Sequence, residues 1–197
     1  MATLQELLSS SDQSVRLKAA LSAGTFPQSE YIPVLVSQCA HEPDFFVRDT
    51  LSWALMRHEK SEVVEMLKPQ LQSGVTQARS QALHTLTKIG DKTFYSLITR
   101  EHLLDVNDKV AVTAWRSASS LVPESEKVSL AEVLVTQLGR GDSDMQFDLT
   151  RFLCSLGDCT IGPLEDATKS AIEIVRIHAE FTLIRLKEMR LAEVKKG

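Results

Sequence analysis

The residues best suited to chemistry are five histidines and three cysteines, and their spacing matches no catalytic or metal-binding pattern. The histidines are His41, His58, His84, His102 and His178, and the cysteines are Cys39, Cys154 and Cys159. Zinc needs several ligands that converge at fixed geometry, which these spacings do not provide. The chain also lacks the GxSxG, GxGxxG, Walker and HExxH signatures. The sequence therefore predicts no catalytic residue, no cofactor and no metal.

A repeated phrase organises the helices that would position a binding site. Asp-x-x-Val-Arg occurs at residues 12–16 and again at residues 44–48, and weaker copies follow. The anchors of the six copies are Val15, Val47, Ala78, Val110, Met145 and Val175. Their spacings of 32, 31, 32, 35 and 30 residues leave room for two helices and two turns in each copy.

The residues after each anchor continue one helical stripe. Offset four holds Ala19, Leu51, Ala82, Ala114, Leu149 and Ala179, and offset eight holds Ala23, Leu55, Leu86, Ala118, Leu153 and Leu183. Because offsets 0, 4 and 8 share a helix face, each anchor is expected to begin the apolar stripe of a second helix. A first helix is expected before each anchor, over residues 4–8, 30–40, 62–71, 93–104, 127–138 and 164–169. The aspartates three positions before the anchors are predicted N-caps.

The phrase Asp-x-x-Val-Arg-x-x-Ala, followed by further Ala or Leu residues, resembles the HEAT repeat. The resemblance is to the short bacterial form called the phycobilisome-lyase-type HEAT-like repeat. It implies an all-α, armadillo-like, right-handed α-solenoid (α-α superhelix) whose second helices line a concave face. One domain, residues 1–197, would contain about six helical hairpins, over residues 1–26, 27–58, 59–90, 91–122, 123–157 and 158–197. The fifth unit has Gln146 where Arg is expected, and the sixth has Ile172 at the capping position.

The arginines that follow the anchors have a structural interpretation under the same resemblance. They are Arg16, Arg48, Arg79 and Arg176. The resemblance implies that each arginine pairs with the capping aspartate of an adjacent unit, which would form an internal ladder.

A basic stripe beside the apolar face is the main candidate binding surface. Offsets 3, 6 and 10 contain six Lys or Arg and two His against one acid, although the whole chain has a net charge of −4. The candidate partner-binding residues are Trp53, Arg57, His84, Lys88, Arg116, Arg151 and Arg185. The alternative is a solvated face that happens to be basic, with Trp53 and Trp115 as packing residues.

Three functions follow from these observations. The first is a non-enzymatic, protein-binding scaffold that takes a protein or peptide partner, acidic in character, on the basic face. The second is a DNA-binding protein similar to the alkylpurine DNA glycosylases built from HEAT-like repeats, with Trp53, Trp115 and Asp49 or Asp148 at the lesion; the net negative charge argues against it. The third is a chromophore-lyase-like protein, for which no tetrapyrrole site is visible.

Composition and the chain ends bear on location and association. The odd cysteine count without CxxC favours a reducing compartment, although Cys154 and Cys159 leave a local disulfide open. No secretory signal and no apolar run of about 20 residues is present, so we expect a cytoplasmic protein without a membrane segment. The last helix is expected to run into a charged cap, and the protein is expected to be a monomer. The cap residues are Lys187, Glu188, Arg190, Glu193, Lys195 and Lys196.

Overall fold

The computed structural model describes residues 2–194, with side chains described up to residue 192, and divides the chain into two compact units. The units are Met1–Asp91 and Lys92–Gly197. The described residues form helices and turns with no strand, as the all-α prediction requires. The boundary between the units falls one residue after the predicted boundary between the third and fourth repeats.

The first unit contains six α-helices. They are α1 (Leu4–Leu8), α2 (Gln13–Thr25), α3 (Ile32–Cys39), α4 (Phe45–Leu55), α5 (Lys60–Leu71) and α6 (Thr76–Ile89). Consecutive helices pack in pairs, α1 on α2, α3 on α4 and α5 on α6. Contacts between α2 and α4, and between α3 and α5, join one pair to the next.

The second unit has the same succession of short and long helices. They are α7 (Arg100–Leu103), α8 (Asp108–Leu121), α9 (Lys127–Val135), α10 (Ser143–Leu156), α11 (Ile161–Ala167) and α12 (Glu173–Val194). Here α8 packs on α10, and α10 packs on α12. Within the described chain, every helix is too short or too polar to cross a bilayer.

The predicted apolar stripe forms the cores of both units. Of the eighteen residues at offsets 0, 4 and 8, all are buried except Val15, Val175 and Leu183, which are half-buried. Small residues such as Ala82 and Ala114, each no more than 1% exposed, allow close helix contact. The helical interpretation of the repeat is therefore confirmed at the level of these residues.

The capping prediction is confirmed at its three aspartates, and Asn107 caps its helix in the same way. The side chains of Asp12, Asp44, Asn107 and Asp142 accept backbone N–H bonds in the first turns of α2, α4, α8 and α10, at 2.8 to 3.1 Å. Each such cap stabilises its helix by about 1 kcal/mol. Val75, before α6, has no oxygen to offer and makes no side-chain cap.

Three of the six first helices, α3, α7 and α9, are shorter than predicted, most clearly over residues 93–104. That segment is a 3₁₀ helix at Lys92–Leu97 followed by the single turn of α7. Thr99 starts α7 with a capping box, in which Nδ1 of His102 accepts the Thr99 N–H at 3.0 Å. This cap requires extended backbone at Thr99, so one continuous helix cannot form.

The repeat arginines bind backbone carbonyls in the turn before their own helix. Nη1 donates to the oxygen six positions earlier in all four cases: Arg16 to Ser10, Arg48 to Glu42, Arg79 to Ser73 and Arg176 to Ser170, at 2.7 to 3.0 Å. Each arginine thereby satisfies a carbonyl at the helix–turn junction. A contact to a main-chain oxygen of the preceding turn therefore recurs at all four arginines, and the HEAT resemblance did not imply it.

Arg16 is held by a buried ion pair as well. Its Nε and Nη2 donate to the two carboxylate oxygens of Glu42 at 2.9 and 2.8 Å. Glu42 is fully buried, and it also accepts bonds from Gln38 and from the Asp44 amide. The carboxylate that pairs with Arg16 is therefore Glu42, two residues before the capping Asp44 that the resemblance implied.

The two repeats that lack this arginine keep an equivalent contact. Gln146 donates to the Gly141 carbonyl at 3.1 Å, so its amide takes over the role of the missing guanidinium. At the fourth repeat the residue after the anchor is Ala111, and Arg140 from the turn before α10 donates to the Asp105 carbonyl instead. A side chain therefore still bonds a carbonyl of the turn before the second helix in the two repeats whose sequences depart from the repeated phrase.

Candidate functional site

Trp53 is a half-buried packing residue of the first unit. Its indole lies against Gly24 of α2, where an added Cβ would come within 2.3 Å of the ring atom Cζ3. Gly24 is therefore the residue that allows the indole to lie between α2 and α4. Trp53 keeps a partly exposed edge, but its position is explained by packing.

Two other predicted residues of the first unit, His84 and Lys88, lie beside a carboxylate. Lys88 forms an ion pair with Asp49, and Nε2 of His84 lies 4.0 Å from the same carboxylate. The Asp49 side chain is 50% exposed and that of Lys88 only 24%, so the acid is the more accessible partner. Arg57 is exposed. The surface around α4 and α6 is thus of mixed charge, not uniformly cationic.

The second unit places Arg116 beside several acids. It lines a cleft of about 370 Å³ between α8 and α10. The carboxylates of this cleft are those of Asp108, Asp142, Asp144 and Asp148. Of these acids only Asp148 stands at offset 3, 6 or 10, so counting along one stripe did not include the other three. Arg116 is therefore an exposed cation in acidic surroundings.

Arg151 and Arg185 are ion-paired and border a second surface, between α10 and α12. Arg151 pairs with Asp148 at 2.5 Å and Arg185 with Glu188 at 2.8 Å. In the first pair the arginine side chain is 65% exposed and the aspartate 30%, so the cation faces the solvent. Exposed pairs of this kind contribute only about 0–1 kcal/mol, so both arginines can exchange partners at small cost.

The aromatic residues of this surface were not among the predicted site residues. Phe147 of α10 and Phe181 of α12 are 59% and 36% exposed, and their rings meet edge to face with centroids 5.4 Å apart. Ile177 and Ile184 of α12 are also more than half exposed. The signal in the sequence is apolar residues outside the core stripe, at offset 2 of the fifth repeat and at offsets 2, 6 and 9 of the sixth.

Two clefts open on either side of Phe147. The first, of about 200 Å³, lies between Phe147 of α10 and the Ile177, His178 and Phe181 side chains of α12. The second, of about 210 Å³, lies between Arg151 of α10 and Arg185 and Met189 of α12. Phe147 and Thr150 line both. Each cleft is large enough for one aliphatic or aromatic side chain.

His178 forms the polar floor of the first cleft and is 4% exposed. Its Nδ1 accepts the backbone N–H of Gly139 at 3.0 Å, and its Nε2 lies 3.0 Å from the Thr150 hydroxyl, which in turn contacts the Thr182 hydroxyl. Because a backbone amide only donates, the ring is the Nε2–H tautomer. Burial lowers the pKa of His178 below its ordinary value, so the floor of the cleft stays neutral.

Trp115 lies in the core, as a packing residue would. It is fully buried, and its indole N–H donates to the Leu103 carbonyl at 2.8 Å. It is therefore unable to stack on a nucleobase. Asp49 and Asp148, the candidate acids of the glycosylase hypothesis, are both held in ion pairs. Nothing in this geometry favours that hypothesis.

The cysteines are free thiols. Cys39 and Cys154 are buried and Cys159 is half-buried. Burial raises the pKa of Cys39 to about 12, and burial also raises the pKa values of Cys154 and Cys159. Such thiols are poor nucleophiles. Among the described side chains, no three His, Cys, Asp or Glu converge as a metal site.

Comparison with known proteins gives only distant likenesses. No family model matches the chain, and no curated protein matches it in sequence. The structure is similar to that of an engineered protein of the Northeast Structural Genomics Consortium, at 19% identity and a TM-score of 0.49. It is also similar to the complex of CpcE and CpcF of phycocyanin lyase from a Nostoc species, at 16% identity and a TM-score of 0.37. Each match covers 94% of this chain and 95% of the other. These values identify neither the family nor the activity of this chain.

Proposed function

We propose that the protein is a non-enzymatic protein-binding scaffold, built as a right-handed solenoid of about six HEAT-type hairpins. Its binding surface is the exposed side of α10 and α12. What supports the repeat architecture is the recurrence of one contact, from an arginine to the carbonyl six positions earlier, in both units. The fold alone assigns no activity, so the functional argument is made on the surface itself.

The observation that carries the proposal is the pair of clefts beside the exposed Phe147–Phe181 pair. Large apolar side chains that remain exposed together, with polar neighbours, are typical of interaction surfaces. Aromatic and arginine side chains are also enriched among residues that dominate binding energy. The surface between α10 and α12 combines both, since Arg151 and Arg185 flank the second cleft.

The chemistry of this surface defines the partner. Apolar side chains of a protein segment would fill the two clefts, and a carboxylate next to the second cleft would pair with Arg151 or Arg185. An acidic, amphipathic peptide segment fits this arrangement better than nucleic acid. Phosphate binding requires cations in excess, whereas both arginines already have carboxylate partners.

A selection from a phage-displayed random peptide library on the full chain tests this function. Peptides enriched on the wild-type protein are then measured by fluorescence anisotropy against Phe147→Ala. Loss of a central aromatic contact should weaken binding by about 2 kcal/mol, or roughly 30-fold. Phe46→Ala is the matched control, because Phe46 is an equally exposed phenylalanine of the first unit.

A second pair of variants tests the role of charge. Arg151→Glu and Arg185→Glu should each weaken the same peptides, whereas Arg57→Glu, an exposed arginine outside this surface, should not. If enriched peptides bind Phe147→Ala and Arg151→Glu as well as wild type, or if no peptide is enriched above the bare matrix, the proposed function is wrong.

A further inference from the structure

α12 carries an exposed apolar stripe along most of its length. Ile174, Ile177, Phe181, Ile184 and Leu191 are 45%, 53%, 36%, 55% and 63% exposed. They are spaced by three, four, three and seven residues, and Glu188 occupies the one remaining position of the series. This is the spacing of the a and d positions of a heptad, the pattern by which one helix packs along another.

The stripe is not part of the core of the second unit. The buried side chains of α12, His178, Ala179, Thr182 and Leu186, lie on the opposite side of the helix. From Ile174 to Leu191 the stripe rises about 26 Å along the helix axis. The charged cap expected here is exposed at Lys187, Glu188 and Arg190, and its other residues lie outside the described side chains. The charge pattern of the sequence did not reveal the apolar stripe on the same helix.

The charges that flank the stripe complement those of a second α12 in antiparallel orientation. If Ile174 lies opposite Leu191 of the second copy, Phe181 lies opposite Ile184. Glu180 then lies beside Lys187 of the second copy, and two-fold symmetry repeats this pair. Both side chains are exposed and have no hydrogen bond or ion pair among the described residues, so they are available for such a contact.

Glu188 decides the orientation. In a parallel pair the two Glu188 carboxylates would face each other at the same level of the interface, which is unfavourable. In the antiparallel pair Glu188 lies opposite Ile177 of the second copy, near the edge of the stripe. There it keeps its own bond to Arg185, at 2.8 Å.

We propose that the protein forms a two-fold symmetric dimer through the stripe of α12, with the two helices antiparallel. This inference goes beyond the proposed partner binding and departs from the expectation of a monomer. Ile177 and Phe181 belong both to the stripe and to the first cleft. A partner segment in that cleft and a second copy on the stripe therefore compete, so saturating partner should dissociate the dimer.

Sedimentation velocity of the full chain over a range of concentrations tests the dimer. The wild type should reach twice its monomer mass of 21.9 kDa. Ile184→Glu places a charge at the centre of the interface and should raise the dimer dissociation constant more than about 100-fold. Val128→Glu, at an equally exposed aliphatic residue of α9, should leave it unchanged. A wild type that remains monomeric at every concentration overturns the dimer.

Disulfide trapping tests the orientation. A chain with both Ile174→Cys and Leu191→Cys should form a covalent dimer on mild oxidation, and each single variant should not. Cross-linking of a single variant to itself overturns the antiparallel arrangement, and wild type reports any background from Cys159.

The failures of the two proposals are distinguishable. Ile184 lines neither cleft and Phe147 is not part of the stripe. Peptide binding that depends on Phe147 in a protein that never dimerises refutes only the dimer. A dimer sensitive to Ile184→Glu, without any Phe147-dependent peptide, refutes only the proposed function.

Discussion

Removal of the Glu42 carboxylate should strongly destabilise the first unit. Glu42 is fully buried and accepts four hydrogen bonds, from Nε and Nη2 of Arg16, from Gln38 and from the Asp44 amide. Glu42→Ala leaves the Arg16 guanidinium buried without a counter-charge. Breaking one side of such a pair costs about 3–5 kcal/mol. Arg16 keeps its bonds to the Ser10 and Ser11 carbonyls, so we expect the lower end, about 3 kcal/mol.

Urea denaturation followed by circular dichroism measures this change. Glu42→Ala should lower the unfolding free energy by about 3 kcal/mol, and Arg16→Met in the same chain should restore part of that loss, because no buried charge remains. Glu65→Ala breaks an exposed pair with Lys68 and should change stability by no more than about 1 kcal/mol. A Glu42→Ala protein as stable as Glu65→Ala would refute the claim that this ion pair holds the turn before α4.

Four other perturbations give independent checks. Burial lowers the pKa of His178, so below about pH 6.5 the unfolded chain binds a proton that the folded chain excludes, and stability should fall as the pH drops. In pH-dependent melting curves, His178→Gln should make this fall less steep, whereas His41→Gln, at an exposed histidine, should not. Ala82→Glu buries an unpaired charge at a site 1% exposed and should lower stability by more than about 3 kcal/mol in thermal melts. Gly24→Ala should cost about 1–3 kcal/mol and shift tryptophan emission, because its Cβ would meet the Trp53 ring. Labelled single- and double-stranded DNA should show no anisotropy change at near-physiological salt; tight binding there would revive the nucleic-acid hypothesis.

The repeat frame could be predicted from sequence because it depends on local rules. Helical spacing puts offsets 0, 4 and 8 on one face, and a short polar side chain three residues before the anchor caps the helix that follows. Both rules act within about ten residues, so the burial of Leu51 and Ala114 and the helix caps at Asp44 and Asp142 could be predicted from the sequence alone. The break at Thr99 also obeys a local rule, although the capping box there uses His102 in place of the usual acid.

The contacts between repeats could not be predicted in the same way. Glu42 becomes the partner of Arg16 only when residues 26 positions apart come together. The basic stripe loses much of its excess charge because Asp49, outside the counted offsets, pairs with Lys88, and Asp148, the one acid counted in the stripe, pairs with Arg151. One-dimensional counting along a single stripe omits the acids that neighbouring offsets and turns bring into the same surface.

The exposed aromatic surface was missed for a related reason. In the sequence, Phe147 and Phe181 are apolar residues of helices that contain many others, and the residue type alone does not distinguish an exposed phenylalanine from a buried one. Their exposure becomes evident only once Leu149, Leu153 and Ala179 are seen to fill the core between α10 and α12. A helix with more apolar residues than its core stripe can hold is the sequence feature that would indicate such an exposed surface.

Hydrogen–deuterium exchange of the full chain, with and without an enriched peptide, tests the central claim most directly. If α10 and α12 form the binding surface, backbone amides of residues 143–156 and 173–192 should exchange more slowly in the complex. Amides of α4 and α6 should be unchanged. Slowed exchange confined to α4 and α6, with none in α10 and α12, would contradict the account and return the binding site to the surface around Trp53.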